Sequence, residues 1–358
     1  IVTELEIEEI RKGLDAGITG YVARSGRIAN VPDPMQDARW NSAIDRATGF
    51  HTRNILAAPL FSPRDGSLLG VLQLLNRREG PFTAGDEELI EAFSQHAAVA
   101  IDRTRLVAEL KRQEQLEASL AVARAIQRGF MPDSLPEVAG YEFATWWYPN
   151  EAVGGDYCDV IPLESGRVGL CIADVSGHGI GPGLIMASVR AALRALMLHR
   201  ASADDLLRDL ARSLAVDLRG GIFITKILAI LDPRTHALEF ANAGHGPALH
   251  YAAAEQRFNV LAATGLPLGV SEEELYPPGP HIELAPGDML VLCTDGVVEA
   301  MDIHDEPFGQ PRLEALIRRL AAAPLNEVVR GVGQAVEAHY TADAPPDDLT
   351  ILVARRRE

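Results

Sequence analysis

Four apolar stretches of this chain carry aspartate, and in three of them an apolar strand begins or ends on it: "AVGGDYCDV" (152–160), "GLCIADVSGHG" (169–179), "MLVLCTDG" (289–296) and "DDLTILV" (347–353). A buried carboxylate without a partner costs several kcal/mol or takes up a proton. Such strands can fold only if their acidic ends reach a cation or open water. Carboxylates delivered from strand ends can converge on one rim of a sheet while the strands stay buried. Clustered carboxylates raise one another's pKa. A divalent cation removes that repulsion, and hard oxygen donors suit Mg²⁺ or Mn²⁺. The flanking glycines fit, because they let backbone approach closely. Any one Asp-Gly pair is an ordinary turn; the ordered recurrence with strands attached carries the reading.

A chain of 358 residues exceeds one ordinary domain and predicts two or three. Its start, "IVTELEIEEIRKGLD", lacks the basic and apolar regions of a signal peptide, and the apolar run Leu184 to Leu198 is short and carries Arg190 and Arg194. A soluble, cytoplasmic protein with no membrane association is expected. Cys158, Cys171 and Cys293 stand singly in apolar runs, which predicts buried small hydrophobes rather than a disulfide framework or zinc site. The net charge of −17 is concentrated: residues 131–358 hold 17 Lys/Arg against 32 Asp/Glu. That balance argues against nucleic acid as a partner and against a metal-dependent nuclease.

The segments "ILAAPLF" (55–61) and "LLGVLQLLN" (68–76) predict a hairpin across "SPRDGS". Thr83, with Asp86 three residues on, predicts the cap of a helix that, past Gly85 in its first turn, meets no glycine or proline until Gly129. Leu106, Leu110, Leu116, Leu120, Ala123, Ile126 and Phe130 give it an approximate seam, broken after Leu110. Both a weak parallel coiled coil, hence a homodimer, and a helix packed on its own domain are consistent with that seam. Further on, helices are expected near 181–199, 203–219, 311–322 and 325–340, with strands at "IFITKILAILDP", "LEFANAGHGPALHYA", "DMLVLCTDG" and "DDLTILVARR". Strand runs with paired helices and no βαβ alternation predict an α+β fold with helices layered on antiparallel sheets.

The motifs "AIQRGFMPDSLP", "VGGDYCDV", "ADVSGHG", "FANAGHGP", "GLPLGV", "LAPGDMLVLCTDGVVEA" and "DDLTILV" occur in this order from about residue 120 to the end. In them the chain resembles the PPM family of metal-dependent serine/threonine phosphatases, in its bacterial SpoIIE-like branch. The resemblance implies a β-sandwich flanked by helices, with two divalent ions, Mn²⁺ or Mg²⁺, at one rim. It implies that Asp156 and Asp174 bind or bridge the ions, that Asp295 and Asp347 hold the first, and that the Val175 carbonyl is a further ligand. Asp159 and Asp348 are weaker metal candidates, since residues three apart on a strand face opposite ways. His178 is a candidate general acid, and His245 is expected to support the fold. No arginine is assigned to anchor phosphate.

The front of the chain resembles a GAF domain, the small-ligand sensor fold, through "GITGYVARSGRIANVPDP", "TRNILAAPLF" and "GVLQLLNRREGPFTAGDEE". Asn76, Arg77, Phe82, Asp86 and Glu87 resemble the Asn-Lys-Phe-Asp-Glu set of cyclic-nucleotide-type GAF domains, with Arg77 in place of lysine. These five are read either as contacts to an unidentified small-molecule ligand or as a brace of strand to helix. The likeness starts part-way into that fold. The expected organisation is an N-terminally incomplete GAF domain at 1–105, a helical linker at 106–130 and the phosphatase-like domain at 131–358. By resemblance, the substrate is a phosphorylated regulatory protein, a STAS-type anti-sigma-factor antagonist. The alternative is a non-catalytic sensor or adaptor that keeps the fold only as a binding platform.

Overall fold

The computed structural model describes residues 17–132, 134–163, 166–198, 202–218, 220–271, 275–340 and 347–357. The expected helix ends at 199 and 219, and residues 1–16 of the GAF-like segment, lie outside these residues. The chain forms two compact units that divide between Leu116 and Glu117. Among the described residues, no helix is long and apolar enough to cross a membrane.

The first unit contains α1 (Gly17–Ser25), β1 (Ala29–Val31), α2 (Ala43–Thr48), β2 (Ile55–Phe61), β3 (Leu68–Leu75) and the start of α3 (Ala84–Arg128). The strands form an antiparallel sheet in the order β1-β2-β3. β2 is apolar throughout because both of its faces are covered. Ile55 and Ala57 pack with Ile18 and Val22 of α1. Leu56 and Ala58 pack with Ile90 of α3. The predicted cap forms reciprocally: Thr83 N and Oγ1 both donate to Asp86 Oδ2 at 2.7 Å.

The second unit continues with β4 (Tyr141–Tyr148), β5 (Tyr157–Pro162), β6 (Val168–Val175), α4 (Ile180–Leu196), α5 (Ala203–Leu214), β7 (Ile224–Asp232), β8 (Ala237–Ala243), β9 (Ala248–Ala252) and β10 (Arg257–Val260). It closes with β11 (Ile282–Glu283), β12 (Met289–Cys293), α6 (Asp295–Glu299), α7 (Gly309–Leu320), α8 (Leu325–Glu337) and β13 (Leu349–Arg356). Two five-stranded antiparallel sheets, ordered β10-β9-β12-β13-β4 and β11-β8-β7-β6-β5, bury a shared core. Val160, Ile172 and Ile227 of one sheet meet Leu290, Leu292 and Leu352 of the other. The opposite faces are covered by helices. Cys171 and Leu228 lie under α4 and α5, and Val291 and Ile351 lie under α7 and α8. The result is a four-layer helix–sheet–sheet–helix sandwich, the α+β arrangement expected. All three cysteines are buried and free.

One expectation fails. "LEFANAGHGPALHYA" is not a single strand: β8 and β9 belong to different sheets. The chain crosses between them through Gly244, at φ 70°, and a cis Gly246–Pro247 bond. Asn242 fixes the crossing, donating to His245 O and accepting from His245 N, each at 2.8 Å. α5 also ends earlier than expected, at Leu214, although Leu218 beyond it still packs into the same core.

Candidate active site

In antiparallel neighbours, the start of one strand lies beside the end of the next. Tyr157 of β5 pairs with Ala173 of β6, and Cys293 of β12 pairs with Ile351 of β13. Asp156 precedes β5, Asp174 lies near the end of β6, Asp295 follows β12, and Asp347 precedes β13. Topology therefore delivers the four acids to one rim of the sandwich.

Their electrostatics show how close they are. Burial raises the Asp156 carboxyl well above its ordinary range, with Asp348 and Asp174 adding to the effect. Burial, and then Asp295, Asp347 and Asp348, push Asp174 up to about 7. Asp295 is raised by burial and by Glu299. Asp347 is raised by burial and Asp295 and eased by the charge of His178.

Asp156 is 1% exposed, and one of its oxygens is clamped. Thr294 and Thr350 both donate their hydroxyls to Oδ2, at 2.9 Å and 2.5 Å. Among the described residues no donor reaches Oδ1. The loop before it is held as firmly. Asp348 Oδ1 accepts from Asn150 N at 2.8 Å, and its Oδ2 accepts from Gly155 N at 2.7 Å. Gln127, 3% exposed near the end of α3, donates to Gly154 O at 2.5 Å and accepts from Gly154 N at 2.9 Å. The glycines are required by contact: a Cβ on Gly154 would stand 2.1 Å from Asp348 Oδ2. One on Gly155 would stand 2.7 Å from the Val175 carbonyl and 3.4 Å from Asp174 Oδ1.

Two metal candidates are engaged elsewhere as well. Asp348 accepts from backbone N–H groups of the loop with both oxygens, while its charge still raises Asp156 and Asp174. Asp159 points to the other face of β5, as its three-residue offset from Asp156 requires. It is 1% exposed there, accepts from Tyr157 Oη at 2.6 Å and Val160 N at 2.9 Å, and pairs with Arg194 of α4 at 2.7 Å. His178 sits in the glycine-rich loop after β6, with Nδ1 2.6 Å from Glu151 Oε1. His245 is buried behind the rim, 2.9 Å from Thr225 Oγ1, and burial lowers its pKa to about 3.

The oxygen-only donor set, the excess negative charge and the Gly155 cradle fit hard divalent cations. As the side chains stand, no group of three or more His, Cys, Asp or Glu among the described residues closes a metal shell. Sequence reasoning missed Thr294, Thr350, Gln127 and Glu151. A hydroxyl next to a rim aspartate in "CTDG", and three residues after one in "DDLT", was the available signal for the threonines.

The GAF-type set forms a brace. Asn76, at φ 57°, accepts from Arg53 N at 2.6 Å and donates to His51 O at 2.8 Å. Arg77 pairs with Asp86 at 2.9 Å, and Asn30 donates to both Phe82 O and Glu87 Oε1, at 3.1 Å and 2.8 Å. A depression of about 450 Å³ in this unit, reached by Arg27, Phe61 and Gln95, is lined by none of the five.

A groove of about 760 Å³ runs along β4 beside Pro324 and Leu325 and touches none of the rim acids.

Comparison with known proteins agrees with this geometry. The chain is 26% identical over 246 residues to the phosphoserine phosphatase RsbU of Bacillus subtilis, covering 68% of this chain and 72% of that protein. The SiaA-PP2C domain of Pseudomonas aeruginosa superposes with a TM-score of 0.60 at 24% identity, over 68% of this chain and 98% of that one. The RsbU and RsbW domains of a Mycobacterium tuberculosis protein superpose at 0.54 and 25% identity, over 63% of this chain and 62% of that one. A GAF domain profile matches residues 3–101. The profile of Stage II sporulation protein E (SpoIIE) matches residues 164–357, more than half of the sequence, and the chain belongs to that family, with a GAF segment ahead of it.

Proposed function

We propose that this chain is a protein serine/threonine phosphatase that hydrolyses phosphoserine or phosphothreonine on a regulatory protein with the help of two divalent cations. The observation that carries the reading is the convergence of Asp156, Asp174, Asp295 and Asp347 on one rim, where burial and mutual repulsion raise their pKa values. With the Val175 carbonyl, these are the groups that would hold Mn²⁺ or Mg²⁺. Such ions, when bound, supply Lewis acidity, lower the pKa of water and offset phosphate charge in an otherwise acidic unit.

The chain's own residues do the positioning. Thr294 and Thr350 hold Asp156 by one oxygen, leaving the other for the rim. Asp348 and Gln127 fix the loop that carries it. His178, steadied by Glu151, is close enough to Asp347 to ease its carboxyl. It is the proposed donor of a proton to the departing serine oxygen.

A STAS-type anti-sigma-factor antagonist is the proposed substrate. The similarity to RsbU, and to a protein that combines RsbU and RsbW domains, supports that choice. Dimerisation through α3 belongs to the same proposal. Leu89, Phe93, His96, Ala100, Arg103, Val107 and Leu110 follow the alternating spacing of a coiled-coil seam and are all exposed. Registry of that helix is the proposed lever on activity.

The test is phosphate release by the full chain from p-nitrophenyl phosphate and from phosphorylated candidate antagonists, in manganese and in EDTA, beside Asp174→Asn. Manganese-dependent release that disappears in the variant supports the reading; release indifferent to either sinks it. A non-catalytic binding platform would instead retain the phosphoprotein without turnover under saturating manganese.

A further inference from the structure

Residues 131–358 carry almost two acids for every base, so an arginine there meets a carboxylate easily. Most do: Arg194 pairs with Asp159, Arg208 with Asp204 and Asp205, Arg234 with Asp232, Arg257 with Glu255, and Arg312 with Glu306. One place departs from this pattern. A depression of about 600 Å³ is lined by Arg318, Arg319, Arg355, Arg356 and Arg357, with Glu142 as its single acid.

Glu142 is already taken, by Arg355 at 2.5 Å and by Arg357 at 3.2 Å. Arg318 donates only to Gln256 O, at 3.2 Å, and lies 5.4 Å over the Phe258 ring. Arg356 donates to Leu284 O. Arg319 is exposed, and no acidic partner reaches it among the described residues. Among the described residues, three guanidinium groups therefore border one concavity without a counter-charge.

Capping of a helix end accounts for part of this cluster. Arg355 donates to Ala321 O and Ala323 O, just beyond α7, where cations offset the helix dipole. That role does not need Arg319 or Arg356.

We infer that this depression is a binding site for a compact, phosphate-rich small anion, separate from the aspartate rim. Guanidinium forks match phosphate oxygens two at a time. Three uncompensated charges suit a di- or triphosphate better than a single carboxylate, and the volume is that of a small-molecule site. The depression lies at the far end of β13 from Asp347. Eight residues of strand separate the two, roughly 25 Å at about 3.3 Å per residue.

The test is calorimetric titration of the full chain with inorganic pyrophosphate in EDTA, so that no divalent ion bridges the anion to the rim acids. Expected is saturable one-site binding that weakens as salt rises. Arg319→Ser and Arg318→Gln, both at exposed positions, should each weaken it by about tenfold or more, the worth of one charge-assisted hydrogen bond. Asp174→Asn should leave it unchanged. Absence of saturable binding, or wild-type affinity in both arginine variants, overturns the inference. Binding lost in Asp174→Asn would place the anion at the rim and overturn it as well. Capture of a glutamate-rich peptide with none of pyrophosphate would replace the small-anion site by a protein-docking surface.

Discussion

Replacing Gln127 by leucine tests whether the end of α3 sets the geometry of the rim. Leucine keeps the approximate size and the helix propensity of glutamine, so the helix itself should form as before. What is lost is the pair of hydrogen bonds to Gly154, at 2.5 Å and 2.9 Å. Both groups of Gly154 are enclosed, since the residue is buried. Each orphaned backbone group costs about 1–3 kcal/mol, so the two together cost about 2–6 kcal/mol. The loop can relieve that strain only by moving, and Asp156 lies two residues further on. Even the lower figure corresponds to about thirtyfold in a rate or binding constant. Manganese affinity by calorimetry and phosphate release should both fall by at least about tenfold, with the far-UV circular dichroism unchanged. Gln127→Glu should be worse, because it keeps the acceptor for Gly154 N but sets a carboxylate oxygen against Gly154 O. Wild-type manganese affinity together with a rate within about twofold in Gln127→Leu would refute the reasoning.

Two further predictions concern charge. Asp174 has a folded pKa of about 7, against about 3.9 in an unfolded chain. Between those values the folded protein binds more protons, so the stability of the metal-free protein should fall as pH rises from about 4 to 7. Asp174→Asn should flatten that slope in thermal melts and raise the melting temperature at pH 7.5; a slope unchanged by the substitution would count against the crowding of acids. Arg194→Met leaves Asp159 buried with only Tyr157 and Val160 as donors. It should cost about 3 kcal/mol in urea unfolding, the low end for a broken buried pair because Arg194 is half exposed. The turnover of the folded fraction should not change, and a parallel loss of turnover at full stability would put Asp159 back at the rim.

How far the site could be read from the sequence follows from the range of each interaction. The acids of "AVGGDYCDV" and "GLCIADVSGHG" stand out because apolar strand residues flank them, a local contrast. Period-two alternation separates Asp156 from Asp159 without any structure, and the Asp159–Arg194 pair on the far face agrees with it. Thr350 and Asp348 are different. Their partners, Asp156 and Gly155, are almost two hundred residues away in sequence, and no periodicity relates such positions. Gln127 belonged to a recognisable motif, but its role depends on where α3 meets the second unit's own loop. The break between β8 and β9 was missed for a related reason. An apolar run through Gly244 and Gly246 looks continuous until two sheets exist for it to cross between.

Composition and pattern alone determined that this chain builds antiparallel sheets under paired helices, that α3 runs unbroken from its Thr83–Asp86 cap to Gly129, and that carboxylates end its strands. Those properties arise from backbone preference and from the period of burial, which act over a few residues. Only the tertiary structure decided which acids share a rim, which one is spent on backbone, and where arginines gather without counter-charge. Those outcomes depend on Coulomb and hydrogen-bond terms that fall off within a few ångströms, and only the packing of the two sheets brings remote segments to that distance.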